Sequence, residues 1–124
     1  MKRFRSEAGA AAVEFALVVP LLLIILLGIV EFGRVFNAQI QVTSAARESV
    51  RVMAIQKEVD VAVSTAISSA PGLNPALAPA QISVTPCTTS SETTVTITYS
   101  IDLLAGLFAD AIPLTGRSVM RCGG

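Results

Sequence analysis

The hydrophobic and polar positions fall into four successive patterns. From Ala10 to Val30, 21 consecutive positions are apolar or small, with one ionisable member, Glu14. At about 1.5 Å per residue such a helix spans roughly 30 Å, the thickness of a bilayer core. Beyond Arg34, the apolar or small residues Val35, Ala38, Val42, Ala46, Val50 and Met53 recur every three or four positions, while Asn37, Gln41, Glu48 and Arg51 fall elsewhere. That spacing predicts an amphipathic helix continuing the span, its stripe packing on the chain's own domain.

Val59, Val63, Ala66, Ile67 and Ala70 repeat the helical spacing, so a second helical piece is predicted up to Ala70, where "PGLNPALAP" breaks it with three prolines and a glycine. The period then changes. "QISVT" and "TTVTITYSI" are strand-like, and Val95, Ile97, Tyr99 and Ile101 alternate with Thr94, Thr96, Thr98 and Ser100. One face of that strand is buried and the other wet. "SSET" is the expected turn of an antiparallel hairpin, and "GRSVMRC" supplies a third strand. Between the second and third strands, "DLLAGLFADAIP" spaces Leu103, Leu104, Leu107, Phe108, Ala111 and Ile112 helically behind Asp102 as N-cap, which predicts a short lid helix.

Composition fits a chain that meets lipid. Of 124 residues, 52% are hydrophobic, and mean hydropathy is +0.68, too high for an ordinary soluble domain. Formal charge is zero with 15% charged residues, so no basic face argues for nucleic acid. Histidine is absent, and two cysteines do not make a four-ligand zinc site, so no metal, cofactor or enzymatic site is expected. Lys2, Arg3 and Arg5 stand before the span against Glu7, which puts the N-terminus in the cytoplasm and the C-terminal part outside by the positive-inside rule. A secretory signal peptide shares the basic front, but the junction "GIVEFGRVFNAQ" has no A-x-A-like pair, and the run is long with a charge in it. Pro20 removes one backbone hydrogen bond within the span and crowds the carbonyl of Ala16, so a kink is expected there.

Cys87 and Cys122 are a candidate disulfide, since a small sheet region outside the cytoplasm needs a staple worth about 3–4 kcal/mol in the chain-entropy model. Strict alternation sets Cys87 on the face of Ser83 and Thr85, away from Ile82 and Val84, whereas Cys122 shares a face with Met120; Pro86 is the residue that can break this alternation.

Glu14 is the residue that needs a reason. A carboxylate at mid-bilayer costs on the order of 3 kcal/mol and by default marks function with a partner to be found. Arg5 is nine residues upstream, and Phe15 to Val30 carry no charge, so the partner comes from elsewhere unless Glu14 lies shallow enough to meet interfacial water or is protonated.

"GAAAVEF", with Gly9, four small or apolar residues, Glu14 and Phe15, resembles the G-x-x-x-x-E-F/Y processing signal of Tad/Flp-type prepilins and pseudopilins. The longer block from Ala10 to Arg51, with its proline, its "EFGR" junction and its "AARE", resembles the TadE-like family, although "AARESVR" has Ser49 and Val50 where members often read glycine and alanine. The resemblance implies cleavage between Gly9 and Ala10 by a membrane prepilin peptidase. It also implies a role for Glu14, with Phe15 beside it, in setting subunit register against a neighbour's new N-terminus. The expected partners are the membrane, that peptidase, other pilin or pseudopilin subunits and Tad assembly components, in the cytoplasmic membrane or the pilus.

The reading is an α+β, pilin-like chain with a long N-terminal helix on a small antiparallel sheet. Its segments are a leader over 1–9, a span over 10–30, an outer helical region over 31–70, a proline-rich linker over 71–80 and a sheet region with its lid helix over 81–124. The alternative function is an uncleaved single-pass protein whose outer domain is a scaffold.

Overall fold

The computed structural model describes residues 2–88, 91–106 and 109–123. Helix α1 runs from Lys2 to Gln56 and α2 from Val59 to Ser68. A single 3-10 turn, Pro79–Gln81, leads into strands β1 (Ile82–Val84), β2 (Glu92–Asp102) and β3 (Ala111–Arg121). The strands form one antiparallel sheet in the order β1-β2-β3, giving the α+β class. Two compact units divide the chain, residues 1–33 and residues 34–124.

The first unit is helix alone. It continues as helix through Pro20, and its large apolar side chains stand exposed, among them Leu21, Leu23 and Ile25. A long apolar helical stretch whose large side chains stand exposed suits lipid. The stretch from Glu7 onward contains one helix long and apolar enough to cross a membrane.

In the second unit the stripe of α1 is buried as its spacing predicts: Ala38, Val42, Ala46, Val50 and Met53 are all below 5% exposed, joined by Ala45, Ser49 and Ala54. Most of these side chains are small, which lets the helix backbone come close to the sheet. At Gly116 on β3, a Cβ would stand 2.7 Å from the carbonyl oxygen of Val42, so only glycine fits that crossing. From the sheet, Val95, Ile97, Tyr99, Ile101 and Leu114 complete the core. The alternation read along β2 is thus the burial pattern observed.

Lys57 ends α1 with φ 59°, in the left-handed region, while its N–H donates to the Met53 carbonyl at 2.9 Å. The chain turns there into α2, which Ser49 ties back through its hydroxyl, donating to the Ala62 carbonyl at 2.8 Å. Helix α2 ends at Ser68, two residues short of the expected Ala70. The proline-rich stretch expected as a linker packs against the domain, because Leu73 and Leu77 drop into the core.

The lid helix expected over "DLLAGLFADAIP" is not formed by its described residues. Asp102 ends β2 rather than capping a helix, and Ala111, Ile112 and Pro113 begin β3, opposite Asp102, Ile101 and Ser100. Leu103 N–H donates to the Asp110 carbonyl at 3.0 Å, and Gly106 takes φ +59°, as a hairpin connection requires. Pairing of two 11-residue strands outweighs a helical spacing that lasts barely three turns. Leu107 and Phe108 of that segment lie outside the described residues, as does Ser90 of "SSET", whose Glu92 and Thr93 belong to β2 rather than to a turn.

Cys87 and Cys122 form a disulfide. β1 stops at Val84, before Pro86, so Cys87 is released from the strand's alternation and turns inward over the Met53 carbonyl, 3.7 Å from its sulfur.

Candidate processing and assembly segment

Gly9, Ala10, Glu14 and Phe15 all lie on α1, where the Gly9–Ala10 bond is helical. A Cβ built on Gly9 meets nothing within 4 Å, so no crowding inside the chain calls for a glycine at this position. Phe15 is 71% exposed, and Glu14 is exposed beside it. Ala10 and Glu14 stand four residues apart and therefore share one face of the helix, about 5–6 Å between their Cβ atoms.

The second unit holds a cleft of about 250 Å³ lined by Arg34, Asn37, Gln41, Asn74 and Tyr99. Its polar groups hold the domain together. Arg34 Nη1 donates to the Asp102 carbonyl at 3.3 Å, Gly72 N–H donates to Gln41 Oε1 at 2.9 Å, and the Tyr99 hydroxyl donates to the Pro75 carbonyl at 2.8 Å. Burial pushes the Tyr99 hydroxyl above its ordinary pKa, and the nearby Asp102 charge raises it further against a smaller opposing effect of Arg34. These contacts fasten the 71–75 loop and the end of β2 to α1; the arrangement has the look of a brace, with no nucleophile set against a base. Among the described residues, no three acidic, cysteine or histidine side chains gather as metal ligands.

Sequence reasoning did not single out Gly116, Gln39 or Lys57. A glycine inside a strand pattern is the standing sign of close backbone approach, and Gly116 in "LTGRSVMR" carried it. Gln39, whose amide donates to the Thr115 carbonyl at 3.1 Å, left no sign in the pattern.

Residues 9–51 match the family model described as TadE-like protein. No curated protein and no solved structure matches the chain. The matched stretch takes in Gly9, Glu14, Phe15 and Pro20, the whole apolar run and the buried stripe of α1 as far as Arg51, about a third of the chain.

Proposed function

We propose that this TadE-like chain is a minor pilin or pseudopilin of a Tad/Flp-type pilus, held in the cytoplasmic membrane by residues 10–30 and processed by a prepilin peptidase after Gly9. The observation that carries the proposal is the family match over residues 9–51, which begins at the glycine of the processing signal and contains its glutamate. In this reading the bilayer stores the subunit with its outer domain beyond the membrane. Cleavage frees the amine of Ala10. Neighbouring helices then pack with an axial offset that sets this amine against Glu14 of the next subunit, since either charge left unpaired in a low dielectric is costly. The small sheet domain faces the other assembly components.

Intact mass and N-terminal sequencing of the protein taken from membranes test this directly. A mature chain starting at Ala10 is expected, and one retaining residues 1–9 overturns it. Glu14→Gln is expected to insert normally and to fail in subunit incorporation, whereas normal piliation with that variant removes the register role while leaving processing intact.

One observation favours a second reading, an uncleaved membrane anchor whose outer domain is a scaffold. Helix α1 runs unbroken across Gly9 and Ala10, so a peptidase would have to unwind this turn before cutting it. The same mass measurement separates the two readings.

A further inference from the structure

The hydrogen-bond register of the sheet assigns every backbone group of β3 to one side or the other. Cys122 N–H donates to the Ser91 carbonyl at 2.9 Å and Leu103 N–H to the Asp110 carbonyl at 3.0 Å. Both pairs continue the β2–β3 register, in which Glu92 faces Arg121 and Asp102 faces Ala111. In an antiparallel ladder, hydrogen-bonded pairs recur at every second residue. The even-numbered residues of β3 therefore turn their N–H and C=O groups to β2, and the odd-numbered residues, 111 to 121, turn theirs to the open edge. The Thr115 carbonyl is on that outward list, and it is the one Gln39 reaches from α1.

That edge has two halves. In the first, Pro113 has no N–H to offer and the Thr115 carbonyl is taken by Gln39, both of which blunt a strand against pairing. The second half, from Arg117 to Arg121, lies between that contact and a second tie to α1, where Gly123 N–H donates to the Ala54 carbonyl at 2.8 Å. Arg117, Val119 and Arg121 are exposed, Val119 at 49%. Their side chains share the wet face, with Arg117 opposite Thr96 and Arg121 opposite Glu92 across the ladder. A self-pair of two copies centred on Val119 would set Arg117 directly against Arg121 of the other copy, an arrangement of like charges that is destabilising.

We propose that the Arg117–Arg121 edge of β3 is a docking site for an extended acidic segment of a partner protein, which adds as a fourth strand with carboxylates opposite the two arginines and an apolar residue opposite Val119. The main-chain groups of Arg117, Val119 and Arg121 supply the hydrogen bonds, and the arginines select the charge. Pro113 and Gln39 on one side, and the Gly123–Ala54 hydrogen bond on the other, limit the added strand to residues 117–121. The proposal is independent of whether residues 1–9 are removed.

The probe is a capped heptapeptide of alternating threonines with glutamate at its second and sixth positions and valine at its fourth, beside a control with lysine in place of glutamate. Both are titrated into the full chain in detergent micelles. The acidic peptide is expected to bind on the order of tenfold more tightly than the lysine peptide and to slow amide exchange at Arg117, Val119 and Arg121. Val119→Pro, which removes one outward N–H as Pro113 already does, is expected to keep the disulfide and the far-ultraviolet dichroism and to lose binding. Should that variant unfold, Arg117→Glu decides, since it is expected to shift the preference towards the lysine peptide. Equal binding of the two peptides, unchanged exchange at the three amides, or protection of those amides by chain concentration alone overturns the proposal.

Discussion

The two halves of α1 are the same helix written for two surroundings. From Phe15 to Val30 the side chains are mostly large and apolar, and most stand exposed. In the second unit, one stripe is mostly small and fully buried, while the opposite side carries Arg47, Glu48 and Arg51. Charge already tells the halves apart, since Phe15 to Val30 carry none. Size and arrangement differ as well: bulk all round suits a fluid solvent of acyl chains, and a stripe of small residues suits one rigid sheet held at close range.

The contrast can be broken most strongly in the second unit by removing its covalent tie. The double replacement Cys87→Ser with Cys122→Ser frees a loop closed over a separation of 35 residues. It is expected to cost about 3–4 kcal/mol in the chain-entropy model, measured by urea unfolding of the second unit in micelles, while membrane partition stays unchanged. The converse is Leu23→Arg, at a position 58% exposed in the first unit. It is expected to penalise insertion by about 3 kcal/mol, read as the fraction inserted in a translocation assay, and to leave the unfolding of the sheet region as it was.

Gly116→Ala sharpens the same contrast. The added methyl group would press on the Val42 backbone, a neighbour that cannot swing aside, and the expected loss is about 1–3 kcal/mol of the second unit's stability. Gly28→Ala, whose added Cβ meets nothing within 4 Å, is the matched control and should leave both units unchanged. The smallest effect has the opposite sign. Lys57→Gly relieves a left-handed residue at the end of α1 and is expected to stabilise the second unit by about 0.5–1 kcal/mol in the same unfolding measurement.

Much of this fold could be read from periodicity because burial on one face imposes a spacing. Val42, Ala46 and Val50 announced the helix stripe, and Val95, Ile97 and Tyr99 announced the inner face of β2. Where a residue's fate depends on a distant partner, the pattern failed. Ala111 and Ile112 have helical spacing with Leu104 and Leu107, but their strand identity comes from register with Asp102 and Ile101. Leu73 and Leu77 sit among prolines that read as a linker, yet the core has room for them. In the segment around Gly9 and Glu14, the sequence supplied more than the coordinates add, because the chemistry proposed there needs a lipid bilayer and a second helix.

The Cys87–Cys122 bridge has a further consequence for how the second unit survives damage. It encloses the whole β2–β3 hairpin in one covalent ring. A peptidase that severs the chain between β2 and β3 would open that ring without detaching anything, and the two pieces would migrate as one chain until a reductant is added. The hairpin can therefore be cut once while the severed strand stays tethered at its far end.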